Sequence, residues 1–584
     1  MTSRHALATM TVLVGFLIIM APGCAQEAPY DVVIRNGLLV DGSGSPGVRG
    51  DIAIRADTIA AVGSFAGGGA TEIDADGLVV APGFINMLSW ATTSLIIDGH
   101  SQSDIRQGVT LEVFGEGESE GPLTEEMADE ALRSLVGRVE GEERAAELLD
   151  VPYGPGTRLS LPWRTLGEYL GYLEEKGVST NVASFVGATT VRVHEVGYEN
   201  RAPDEAELTR MQDLVRDAMR EGALGVGSSL IYAPAFYADT DELVALASAA
   251  GEYGGMYISH MRSEGNNLLA AVDELIEISR RAGVPAEIYH LKAAGKQNWD
   301  KLDEVIDRVE SARDSGQRIT ADMYLYTAGS TGLDAAMPPW VQEGGFGEWR
   351  RRLMDPAIRR RVAREIMTPT DEWENLFLSA GPEGTLLVGF RNKDLRDLIG
   401  KTLAEVADSR GTSPAETIMD LVVEDSSRVD VVYFLMSEEN VARQVALPWM
   451  SFDSDAGSMA PEGLFLQSNP HPRAYGNFAR LLAKYVREEK VVPVEEAVRR
   501  LTSFPAENLG LRRRGRLQPG YYADVVVFDP DRIQDHATFE EPHQYSTGVQ
   551  HVLVNGVSVL YDGEHTGAKP GRFVRGPGWT GWSE

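Results

Sequence analysis

Two histidines carry the most legible chemistry in this chain. His260 closes the run MYISH and His290 closes AEIYH, each a short apolar stretch of the kind that forms a buried strand. Between them Leu268, Val272, Leu275 and Ile276 recur at i, i+4, i+7 and i+8, the apolar face of a helix that Gly283 ends. Strand, helix, strand makes a right-handed βαβ unit with parallel strands. Both imidazoles then sit at the carboxyl end of the sheet, where an α/β barrel builds its site. Two readings follow from these residues alone. The histidines converge on one divalent metal, or each is a strand-end histidine bonded to backbone.

The elements that must hold such a pair run through most of the chain. LVVAPGFINM, VTLEVFG, NVASFVG, ALGVGSS, MYISH, AEIYH, ITADMY and PWMSFDSD read as strands. Amphipathic helices alternate with them. ELTRMQDLVRDAMREG places Leu208, Met211, Val215 and Ala218 on one face, and KLDEVIDRVESARDSG does the same with Leu302, Val305, Ile306 and Val309. Both are expected to end at glycine. Eight such units argue for an α/β fold of the (β/α)8 barrel type. Flanking it, YDVVIRNGLLVDGSG near the start and RGRLQPGYYADVVVFDP and GVQHVLVNGVSVLYDG near the end show the short strands and glycine turns of a small β-sandwich built from both ends. The region around 340–430 breaks the rhythm and reads as an insertion.

At 584 residues and net charge -33 the chain can bury a large core, and it repels nucleic acid and anionic membranes. An anionic substrate would need a local cationic pocket. Residues 1–25 read as an export segment, with Arg4 and His5 before ALATMTVLVGFLIIM and APGCAQ. Cys24, the single cysteine, excludes intrachain disulfides. Its setting after Gly23 resembles a bacterial lipoprotein processing site, which implies a lipid on Cys24. Simple cleavage near Ala25 or Ala28 is the other reading. Either way the expected location is periplasmic or lipid-anchored to the bacterial envelope, with no other membrane association.

VAPGFI, SHMRSEG with YHLKAAGKQNW, ADMYLYTAGSTGL, HPRAYGNFARLLAKYVRE, LTSFPAENLGL with RGRLQPGYYADVVVFDP, and HVLVNG together resemble the amidohydrolase superfamily. Within it they are similar to the D-aminoacylases, the N-acyl-D-amino-acid deacylases. The resemblance implies a metal-dependent barrel over 81–507 and a β-sandwich from 29–80 and 508–575. It implies that His260 and His290 bind metal and that Asp455, in FDSDAG, is the general acid/base, with Asp453 a second choice. It further implies that Lys292, Tyr324, Ser330 and Arg473 hold the α-carboxylate of a small-molecule substrate, a task suited to an arginine fork and an ammonium. Without the resemblance, Asp455 reads first as a turn or cap residue of an Asp/Ser/Gly loop.

The sequence departs from the family pattern at three expected ligands. PGFINMLSW has Leu88 and Trp90 where a His-x-His pair belongs, and FGEGES has Gly117 where a cysteine belongs. Glu116 is the expected replacement ligand and Glu118 the alternative. His260, His290 and Glu116 would hold one divalent metal, zinc in the first place. A carboxylate in place of a thiolate also admits manganese or iron. Three functions compete: hydrolysis of the amide of N-acyl-D-amino acids, another amidohydrolase reaction on a cyclic amide or small peptide, and ligand binding by a barrel without metal. Leu88, Trp90 and Gly117 point to the last, while His260, His290 and Asp455 point to the first.

Overall fold

The structure is a computed structural model that describes residues 29–581. The export segment and Cys24 lie outside the described residues. Phe84–Asn86, Val109–Phe114 and Asn181–Ser184 pair in parallel. Val186–Gly187, Gly225–Ser229, Met256–His260, Ala286–Ile288 and Ile319–Ala321 continue the parallel order. Residues 450–456 close the ring through single parallel bridges, Ala321 to Met450 and Ser89 to Ala456. This last stave was expected to be a regular strand. It is irregular, and near its end Asp455 takes a left-handed backbone, φ 43°.

The helices between strands form where apolar periodicity and caps agree. Glu205–Glu221 starts in a capping box between Asp204 and Glu207 and ends at Gly222, whose φ of 115° few other residues tolerate. Leu268–Ala282 ends at Gly283 as its sequence dictates, and buries Leu268, Val272, Leu275 and Ile278 against the barrel. Each such side chain contributes about 1.5–3 kcal/mol relative to exposure. Leu302–Asp314 stops at Ser315, one residue before the expected Gly316.

Both chain ends meet in one nine-stranded sheet. Val79–Pro82, from the N-terminal part, pairs antiparallel with Val525–Phe528. The sheet curls until Ile59 exchanges backbone hydrogen bonds with Gly520 and Tyr521, enclosing Ile34, Ile52, Ile54, Val525, Val527 and Leu553. The run read as one strand, LVVAPGFINM, is therefore two. Val79–Pro82 belongs to this sheet and Phe84–Asn86 to the barrel. The hinge is Gly83, where a Cβ would lie 2.1 Å from Thr110 Oγ1.

The insertion is larger than the 340–430 expected. Its antiparallel sheet takes in Ala328–Gly332, Thr385–Gly389 and Asp430–Phe434, so it begins inside AGSTG. Glycine, serine and alanine gave that segment no strand signal. It has its own core, including Trp349, Val362, Phe377, Met419 and Val431. A short segment reaches back to the barrel: Glu374 Oε2 accepts the backbone N–H groups of Glu264 and Gly265 at 2.5 and 3.1 Å.

Candidate metal and catalytic site

The three candidate metal ligands lie at or just beyond the carboxyl ends of barrel strands. His260 ends its strand, Glu116 follows Val109–Phe114 by two residues, and His290 follows Ala286–Ile288 by two. Glu116 Oε1 lies 2.9 Å from His260 Nδ1 and 3.0 Å from His290 Nε2. The two imidazole planes stand at 83°, with centroids 4.6 Å apart. All three residues are buried and offer ligand atoms within 4.8 Å of one another. Glu118 is exposed and is not part of this triad.

The position of Gly117 explains why the preceding residue supplies the carboxylate. Its φ is 73°, and a Cβ there would meet Ser229 Cβ at 2.7 Å. No side chain fits at 117, thiolate included. Ser229 instead turns its hydroxyl 3.4 Å from Glu116 Oε1. Leu88 is also lost to the site, since its side chain is buried in an apolar cluster with Ile85, Leu111 and Ile258.

A second ring of charges holds the triad. Glu264 Oε1 lies 3.0 Å from His290 Nδ1 and 2.6 Å from Lys292 Nζ, and Lys292 Nζ is 2.7 Å from that same ring nitrogen. The carboxylate favours a proton on Nδ1, which leaves Nε2 to a metal, whereas the ammonium, which can only donate, favours a bare Nδ1. Burial and Lys292 oppose charge on His290, but Glu264 and Glu116 outweigh them and push its pKa up to about 10. Burial likewise opposes ionisation of Glu116, yet the two histidines hold its carboxyl below the usual range. Glu264 is depressed against burial chiefly by Lys292 and the histidines. His260 Nε2 is buried and has no hydrogen-bond partner. A negative carboxylate between two imidazoles, one with an unsatisfied nitrogen, is a donor set that a divalent cation fits.

Asp455 sits beside the triad. Its Oδ2 pairs with Arg473 Nη1 at 2.8 Å, and its Oδ1 accepts from Trp90 Nε1 at 3.1 Å. Trp90 Nε1 lies equally close, 3.1 Å, to Glu116 Oε2. Burial raises the Asp455 pKa, with Arg473 and His290 restraining the rise. Both His290, φ 35°, and Asp455, φ 43°, hold left-handed backbones that non-glycine residues rarely adopt. Asp453 is fully buried and faces Asp322, which accepts the backbone N–H of His290. Burial and the charge of Asp455 push Asp453 up to about 7.

The four residues expected to grip a carboxylate divide in two. Arg473 stacks its guanidinium 4.3 Å over Tyr324, and its buried Nε has no partner. Lys292 is turned toward Glu264 and His290, with its ammonium 5.4 Å from the Tyr324 ring. Ser330 donates its hydroxyl to the Val431 carbonyl at 3.1 Å, inside the insertion sheet. Glu264, Ser229 and Asp322 were missed by sequence reasoning. Glu264 had a signal in its place four residues beyond His260 in SHMRSEG. Ser229 and Asp322 had none that distinguishes them from ordinary strand-end residues.

Three comparisons bear on this site. The amidohydrolase family profile matches residues 467–560. The D-aminoacylase of Alcaligenes xylosoxydans xylosoxydans is 33% identical, across 94% of this chain and 98% of that protein. Among solved structures, N-acyl-D-glutamate deacylase from Bordetella bronchiseptica, complexed with zinc and a phosphonate mimic of the tetrahedral intermediate, superposes with a TM-score of 0.73 at 29% identity, over 94% of this chain and 100% of that one. A D-aminoacylase with a binuclear centre, described as activated by one metal and attenuated by a second, gives a TM-score of 0.74 at 31% identity, over 94% and 100%.

Proposed function

Because this chain belongs to the D-aminoacylase branch of the amidohydrolases, we propose that it hydrolyses the amide bond of N-acyl-D-amino acids with a single divalent metal. The observation that carries the proposal is the meeting of Glu116, His260 and His290 beside the Asp455–Arg473 pair. A cation at the triad would polarise the scissile carbonyl and lower the pKa of an attacking water. Zinc suits two imidazoles and a carboxylate, and manganese and iron also accept that set.

The remaining work falls to the protein's own groups. Asp455 takes the proton from water and returns it to the leaving amine. Its raised pKa brings it closer to the value such a shuttle needs. Arg473, with its unpartnered Nε and its stack on Tyr324, receives the α-carboxylate of the substrate. Lys292 keeps Glu264 ionised, and Glu264 orients His290. The Arg473 guanidinium gives an anionic substrate a cationic foothold in a chain of net charge -33. We extend the proposal to place: residues 1–25 direct export, and Cys24 carries a lipid anchor, which labelling with radioactive palmitate in cells expressing Cys24→Ala or the native chain would check.

The deciding experiment is elemental analysis of the purified mature protein together with turnover of paired N-acetyl D- and L-amino acids. Bound metal with D-selective hydrolysis supports the proposal. A folded protein that takes up neither zinc nor manganese and hydrolyses nothing is instead a binding barrel.

A further inference from the structure

Trp90 stands where the family pattern calls for a histidine, yet its indole is not idle. Its single N–H lies 3.1 Å from both Glu116 Oε2 and Asp455 Oδ1. Two carboxylate oxygens that converge on one point repel each other unless something positive lies between them. A metal cation is one solution, and an N–H dipole with a separate counter-charge is another. Here Arg473 supplies the counter-charge at the other oxygen of Asp455, 2.8 Å away. Glu116 is divided in the same way: Oε1 serves the two histidines and Oε2 faces the indole. Two carboxylate oxygens that face one point beside the histidines are the kind of pair a second cation would join, and here the indole N–H stands between them.

The indole is held in place by the barrel itself. The Trp90 backbone N–H donates to Ala456 O at 3.0 Å, and the neighbouring Ser89 N–H donates to Val113 O at 2.7 Å. Asp455 N–H in turn donates to Leu88 O at 3.0 Å. The first stave, the second stave and the Asp455 stave are thus locked around the ring, which remains 40% exposed at the mouth.

We propose that the Trp90 indole occupies the position of a second cation, so that this site holds one metal by construction and Asp455 keeps its distance from the triad without a bridging ion. Trp90 is a positioning residue in this account. The inference rests on the one-metal hydrolase reading above.

The test uses the full-length mature protein and its Trp90→His and Trp90→Phe variants, stripped of metal and dialysed to equilibrium against manganese or zinc. The native protein is expected to retain about one cation per chain, with the electron paramagnetic resonance signal of isolated manganese, and Trp90→His about two, with a spin-coupled signal. Excess zinc should leave native turnover unchanged and inhibit Trp90→His. Trp90→Phe should stay at one cation but lose about tenfold in kcat with little change in KM, because the N–H that Asp455 and Glu116 share is gone. Two cations in the native protein, or one in a folded Trp90→His, would overturn the inference while leaving the hydrolase reading intact. No metal in the native protein would overturn both.

Discussion

Asp455→Asn separates the roles assigned to the site more cleanly than any other single change. Asparagine keeps an oxygen that accepts the Trp90 N–H at 3.1 Å, so the side chain has reason to hold its orientation. It cannot carry a proton between water and amine. Loss of a general acid/base costs about 10²–10⁴ in rate, or about 2.7–5.4 kcal/mol of transition-state stabilisation. The ligand triad does not include Asp455, so metal content should not change. Arg473 loses its partner at 2.8 Å while remaining buried. That charge then has only substrate to neutralise it, so KM should hold or fall while kcat collapses. A buried group left without its partner also costs about 1–3 kcal/mol of stability, which thermal unfolding would register. The assay is steady-state hydrolysis of an N-acetyl-D-amino acid on protein of verified metal content. Turnover within fivefold of native, with metal retained, would refute the assignment of Asp455 as the proton shuttle.

The remaining predictions concern ligands, pH and packing. Glu116→Ala should lose the metal while Glu118→Ala retains it, as read by elemental analysis, because only Glu116 reaches both imidazoles. The acidic limb of kcat/KM should lie above the ordinary carboxylate range, since burial raises Asp455 and activity needs its ionised form. Arg473→Met should move that limb further up in pH, because the guanidinium restrains the rise. The folded pKa of Glu264 is depressed, so its contribution to stability is present above the unfolded value of about 4.3 and is lost as pH falls through the folded one. Glu264→Gln should accordingly flatten the acid side of a stability–pH curve. Gly117→Cys should not restore a thiolate ligand. It should destabilise by about 1–3 kcal/mol without tightening zinc binding, and Ser229→Gly in the same chain should recover part of the loss, because the clash is with Ser229 Cβ.

The sequence alone determined those features that depend on local order. The helix between His260 and His290 has its apolar face and its terminal glycine written in four side chains and Gly283, and it forms where they require. Strand, helix, strand periodicity determined the parallel order, and parallel order places both histidines at one end. The loss of three expected ligands was equally plain, because residue types at motif positions are one-dimensional facts. Tertiary structure decided which carboxylate meets the histidines. In FGEGES only its place at the strand end favours Glu116 over Glu118. A positive φ at Gly117 and close packing against Ser229, more than a hundred positions away, accompany the turn that brings the first to the histidines and leaves the second exposed. The same holds for Lys292, whose ammonium meets Glu264, and for Ser330, whose hydroxyl donates to the Val431 carbonyl. Trp90 is the clearest case. Its sequence position says only that a ligand is missing, and only the closing of the barrel brings Glu116 and Asp455 to the same indole nitrogen. Side-chain direction at strand ends depends on which distant stave closes against it, and that partner is not encoded in the neighbouring residues.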